Sequence, residues 1–134
     1  MIVADTNLLV YLLLPGEHTE SAEAVMERDS EWLAPLLWRS EFRNVLAFYV
    51  RRKQLELGAA IDLAAEAEAL MSGREFLVAG TAVLQLTARS GHSAYDCEFV
   101  ALAEQEGLPL LTSDRRILDH FPDTAKSPAE FLQA

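Results

Sequence analysis

The chain has 134 residues, 51% of them hydrophobic and 24% charged, which suits one packed core and leaves too little length for two ordinary domains. Six Gly and five Pro exclude a collagen-like or disordered composition, and a single cysteine excludes a disulfide-built scaffold and points to a reducing compartment. With 21 acidic against 11 basic residues the net charge is -10, which argues against holding nucleic acid by a broad basic surface.

Ile2, Val3 and Ala4 form a short apolar run of strand type that ends in Asp5-Thr6-Asn7. Leu8, Leu9, Leu12 and Leu13 then recur at helical spacing until Pro15-Gly16. That longest apolar run, 8–14, falls far short of the ~18 to 20 residues of a membrane span. Asp5 precedes it and the first basic residue is Arg28, so the start does not read as a secretory signal and the cytoplasm is the expected location. A second helix is predicted over 19–28, a strand over Trp32-Leu33-Ala34, and a long helix from about 36 to 53. The expected apolar stripe of the long helix is Leu37, Val45 and Phe48, widened by Leu46, Tyr49 and Val50. An Ala-rich helix follows over 58–71, a third strand over 76–80, and a helix over 81–90 closed by Gly91. The next helix, 93–106, turns Phe99, Val100 and Ala103 inward. After it come a fourth strand over 108–112 and a helical turn opened by Ser113-Asp114. A short edge strand near Ala125-Lys126 and a turn of helix over 128–132 complete the chain. Strands apolar on both faces and separated by helices predict one α/β domain over 1–134, with a central parallel sheet of four to five strands and helices on both faces.

Ligands of such sheets gather beyond the carboxyl ends of the strands. Asp5 and Asp114 stand there, each after an apolar strand and before a helix, although capping alone explains an Asp at a helix start. Glu41 falls within the expected apolar stripe of the long helix, and an inward carboxylate needs a partner: Arg39 or Arg43, buried water, or a cation. Asp96 shares a helix face with Phe99, Val100 and Ala103, and its competing role is a capping box with Ser93. Four acids converging on one rim repel one another unless a cation intervenes. Oxygen donors, with no His or Cys pair at metal spacing, favour Mg²⁺ or Mn²⁺ over zinc. Such a cation activates water and stabilises charge on a phosphodiester. Basic residues crowd one segment, Arg39, Arg43, Arg51, Arg52 and Lys53, with Arg115 and Arg116 a second group; Arg39 and Arg43 are the candidates for RNA phosphate contacts.

In the order Ile2-Val3-Ala4-Asp5-Thr6-Asn7, Ser40-Glu41, Ser93-Ala94-Tyr95-Asp96 with Ala101-Leu102-Ala103, and Leu111-Thr112-Ser113-Asp114 with Leu118, nearly the whole chain resembles the PIN-domain ribonucleases, and among them the VapC-type toxins of toxin–antitoxin pairs. The resemblance implies a Rossmann-like α/β/α fold and a Mg²⁺- or Mn²⁺-dependent endoribonuclease whose catalytic acids are Asp5, Glu41, Asp96 and Asp114. It makes the first and third acids the usual metal anchors, with Asp114 completing the metal set and Thr6, Asn7 and Thr112 supporting the pocket. It also implies a homodimer and a small VapB-type antitoxin; Leu36, Leu37, Trp38 and Phe42 with Leu12, Leu13 and Leu14 are candidates for its groove, although core burial is the simpler account for most of them.

His18, His92 and His120 are scattered along the chain and predict no triad; Cys97 is expected to be a small buried hydrophobe, and Trp32, Trp38, Tyr49 and Tyr95 to be core residues. Two other classes compete. A phosphoacceptor or phosphotransfer module would need an Asp after the third strand, where Val78-Ala79-Gly80 stands, or two positions after Asp5, where Asn7 stands. A catalytically silent binding module would not need all four acids.

Overall fold

The computed structural model describes residues 1–134. Its elements alternate as β1 (Ile2–Ala4), α1 (Thr6–Leu13), α2 (Thr19–Arg28), β2 (Trp32–Pro35), α3 (Leu37–Arg51), α4 (Leu57–Leu70), β3 (Glu75–Phe76), α5 (Gly80–Ser90), α6 (Ala94–Glu106), β4 (Leu110–Leu111), α7 (Arg115–His120), β5 (Ala125–Lys126) and α8 (Pro128–Gln133). The five strands form one sheet in the order β3-β2-β1-β4-β5, with every pairing parallel. β1 is central, with Val3 opposite Leu33 on one side and Leu110 on the other.

This order dictates the layers. The chain steps outward from β1 through β2 to β3, then crosses back to β4 on the far side of β1. Right-handed crossovers therefore place α1 to α4 on one face of the sheet and α5 and α6 on the other. The packing agrees: α6 lies on β1, β2 and β4 and pairs with α5, whereas α1 packs with α2 and α3, and α3 with α4. Covered on both sides, β1 and β2 are buried at every position, which explains their unbroken apolar sequence. Because the connections leaving β1 and β4 run to opposite sides of the sheet, toward β2 and toward β5, a crevice opens beyond the carboxyl ends of those two strands.

The buried stripe of α3 is Trp38, Phe42 and Leu46, of which only Leu46 stands in the expected stripe, as a residue widening it; Phe48 is exposed, and Leu37 and Val45 lie at the margin. Glu41 therefore flanks the core face and is half-buried. The third strand is Glu75–Phe76, short of the predicted 76–80, and Leu77 just beyond it is 83% exposed. Its apolar residues mimic a strand but have no neighbouring strand beyond β2 to pair with, since β3 is an edge. The same stripe removes Trp38 and Phe42 from the antitoxin-groove candidates, because both are core residues. Trp32 is likewise buried and Cys97 lies in the core, as expected, but Tyr95 is exposed.

Candidate active site at the sheet switch point

Asp5 follows β1 and caps α1, and Asp114 follows β4 and caps α7, so the two stand on either side of the switch-point crevice. α3 brings Glu41 from one layer and the first turn of α6 brings Asp96 from the other. All four line a single cavity of about 240 Å³ with Thr6, Asn7 and Asn44, and no basic side chain enters it.

Hydrogen bonds fix the carboxylates. Asp5 Oδ1 accepts from the Thr6 backbone N–H at 2.8 Å, and Asp5 Oδ2 accepts from the Thr112 hydroxyl at 2.6 Å. The Thr112 oxygen in turn accepts the Asp114 backbone N–H at 3.0 Å, so one buried threonine links the ends of β1 and β4. Thr6 donates its hydroxyl to Glu41 Oε1 at 2.7 Å, so Glu41 is partnered by a threonine and not by Arg39 or Arg43. Asp114 does act as a cap: its Oδ1 accepts from the backbone N–H of Arg116 and Ile117. Ser93 takes the cap of α6 by accepting the Asp96 N–H, but the Asp96 carboxylate does not return the bond and turns instead toward His92 Nδ1 at 3.5 Å. Asn7 lines the cavity from an exposed position on α1.

Burial pushes the Asp5 carboxyl above its usual range, against the opposing pull of Thr112 and the Thr6 N–H, and repulsion from Asp96 and Asp114 adds to the rise. Glu41 is raised by burial first, is lowered by Thr6, and is raised further by Asp5, Asp96 and Glu98. A cavity that destabilises its own negative charge is one that a cation would stabilise. No three of the His, Cys, Asp and Glu side chains stand close enough to wrap one ion directly. Mg²⁺ retains several waters and takes one or two carboxylates directly, so a spread set of hard oxygen donors fits this ion better than a closed protein cage would.

Arg39 and Arg43 do not reach this cavity. Two residues away from Glu41 on a helix is roughly 200° around its axis. On that opposite side Arg39 pairs with Glu75 and Glu68, Trp38 Nε1 joins Glu75 at 2.8 Å, and Arg43 stands 3.5 Å from Glu68. The phosphate role given to these two residues is therefore corrected: they join α3 to β3 and α4.

Several residues of the site escape a linear reading. Asn44 lies one turn beyond Glu41, a spacing that a search for carboxylates alone passes over. Glu98 is half-buried and acts on Glu41 through space. His92, almost fully buried, contacts Asp96 on one side and His120 on the other, so two of the three scattered histidines meet through the packing of α7 beside the start of α6.

The chain matches the PIN domain family over residues 2–124. It is 32% identical to Ribonuclease VapC3 of Pyrobaculum aerophilum over 127 residues, covering 90% of this chain and 95% of that protein. Among solved structures it is similar to PAE2754 of the same organism (TM-score 0.77, 19% identity, 98% of this chain and 86% of that one). It also resembles FitAcB of Neisseria gonorrhoeae (TM-score 0.72, 19% identity, 96% and 99%) and a toxin–antitoxin complex of Klebsiella pneumoniae (TM-score 0.67, 17% identity, 96% and 98%). At those identities the structures speak for the fold, and the family match for kinship: the chain belongs to the PIN domain family.

Proposed function

We propose that this protein is a Mg²⁺- or Mn²⁺-dependent endoribonuclease, the toxin of a VapBC-type pair, working in the cytoplasm as a single domain and a homodimer. One observation carries the reading: Asp5, Glu41, Asp96 and Asp114, from four separate elements, line one cavity at the switch point with no basic side chain to neutralise them. Kinship with a protein named a ribonuclease supports the RNA substrate, and similarity to a toxin–antitoxin complex supports an antitoxin partner.

In this reading Asp5, Asp96 and Asp114 hold the metal, and Glu41 completes the acidic pocket. Bound there, the ion would supply Lewis-acid stabilisation of a phosphodiester and a more acidic water. The chain's own contribution is orientation. Thr112 and the Thr6 amide fix both oxygens of Asp5, Thr6 fixes one oxygen of Glu41, and burial keeps Glu41 ready to accept a proton from water. A further groove lined by Val10, Leu14, Tyr49, Leu55 and Leu63 offers the antitoxin an apolar seat, and the exposed Leu77, Leu84 and Tyr95 offer surface for a second copy.

The test is sequencing of RNA ends after incubation of cellular RNA with the purified protein in Mg²⁺ or Mn²⁺, beside EDTA and the Asp96→Asn variant. New ends at a few positions, dependent on metal and lost in the variant, are expected. Cleavage retained by Asp96→Asn removes the site assignment, and no cleavage by folded, metal-binding protein favours a silent binding module.

A further inference from the structure

Beside the acidic cavity lies a second one, also of about 240 Å³, of opposite character. No residue lines both, but neighbours in the chain do: α1 contributes Asn7 to the first and Leu8 and Tyr11 to the second, and Asp114 of the first stands between Ser113 and Arg115 of the second, where β4 leads into α7. His18, at the cap of α2, and Ser21 within it also line the second cavity, as do Ser127, Pro128 and Ala129 at the start of α8. In a chain with net charge -10, no acidic side chain lines this cavity. Arg115 at its mouth is exposed and makes no salt bridge, in contrast to Arg39, Arg43 and Arg89, which are each held by a glutamate. The rings of Tyr11 and His18 lie 4.5 Å apart, tilted by 37°, and give the cavity an aromatic wall. His18 Nε2 is 3.3 Å from Glu17, outside the cavity lining.

We infer that this second cavity is a nucleotide subsite that holds the RNA residue next to the one cleaved, with Arg115 on its phosphate and the Tyr11–His18 wall against its base. The inference rests on the ribonuclease reading above. An unpaired guanidinium one residue from Asp114 can take a backbone phosphate while the neighbouring phosphodiester lies in the acidic cavity. Aromatic faces accept any base, and the hydroxyls of Ser21 and Ser113 supply the polar contacts that prefer one base over another. The cavity's size takes one base rather than a folded RNA element. A strongly acidic protein gains little from diffuse attraction to RNA, so a local cation of this kind carries a large share of the binding.

The test uses the full chain in two assays. In the first, a fluorescein-labelled octaribonucleotide of random sequence is titrated by anisotropy into the Asp96→Asn protein across a salt series, with Arg115→Ala, Arg115→Lys and, as a distant control, Arg52→Ala added. In the second, RNA ends are mapped for wild type, Arg115→Ala and Tyr11→Leu. Arg115→Ala is expected to weaken binding about ten-fold and to lower the salt slope by about 0.7, the contribution of one phosphate contact on a single strand. Arg115→Lys should restore the slope and Arg52→Ala should leave it unchanged. Tyr11→Leu should alter base preference at one position beside the cut. Unchanged affinity and slope in Arg115→Ala, with wild type still cleaving, overturns the subsite and leaves the ribonuclease standing. An Arg115-dependent slope with no cleavage by wild type leaves Arg115 as an RNA contact but overturns a subsite beside a cut together with the ribonuclease reading; neither binding nor cleavage likewise removes both.

Discussion

Replacing Thr112 by Val keeps the shape of a side chain that is 1% exposed and removes one oxygen that serves two partners. Asp5 Oδ2 loses a donor at 2.6 Å and the Asp114 backbone N–H loses its acceptor at 3.0 Å. A hydrogen bond to a charged group contributes about 1.5–3 kcal/mol and a neutral one about 1 kcal/mol, so a loss of about 2.5–4 kcal/mol is expected at neutral pH. For a domain of this length that corresponds to a fall in Tm of about 10–16 °C. Circular dichroism melts in EDTA measure it. Thr112→Ser, which retains the oxygen, should recover most of the loss. The deficit should also shrink in acid, because a protonated Asp5 accepts a weaker hydrogen bond than the carboxylate does. A Thr112→Val protein melting within about 1 °C of wild type at neutral pH would refute the claim that Thr112 fastens β1 to β4.

The raised carboxyls of Asp5 and Glu41 make the folded chain bind more protons than the unfolded one between their ordinary and raised pKa values, so metal-free stability should fall as pH rises through that window. Millimolar Mn²⁺ should therefore raise Tm more above that window than below it, and an equal response across a pH series in calorimetry would contradict it. Glu75 behaves oppositely: Arg39 and the Trp38 indole hold its carboxyl below the usual range, so its stabilisation is present above the ordinary Glu pKa and disappears as pH falls through the lowered value. Glu75→Gln should flatten the dependence of Tm on pH below about pH 4.3, measured by thermal melts in a buffer series. Gly91 closes α5 at φ +76°, so Gly91→Ala should cost about 1 kcal/mol by urea denaturation even though open space surrounds the new methyl group.

Much of this protein is legible from local pattern. Ile2-Val3-Ala4 reads as a fully buried parallel strand because no polar residue alternates within it, and β1 is buried throughout. Gly91 and Ser93 mark the end of α5 and the start of α6 because left-handed backbone and an amide-accepting hydroxyl are local requirements. Asp5, Asp96 and Asp114 are legible for the same reason, each placed by its own strand end or helix start, whereas Glu41 only flanks the core face of α3. What local pattern cannot supply is which side of an element meets which neighbour. On α3 apolar residues occupy adjacent faces, and only packing against α1, α4 and β2 selects Trp38, Phe42 and Leu46. Arg39 and Arg43, two residues from Glu41 in sequence, end up across the helix from it and bound to Glu68 and Glu75. His92 and His120 meet across 28 positions, and Thr112 reaches Asp5 across 107. The succession of elements is written in local pattern, since periodicity and capping act over a few residues. Tertiary structure alone decided which donors hold the carboxylates and which cations stand free beside them, because a hydrogen bond is made over about 3 Å of space whatever the separation along the chain.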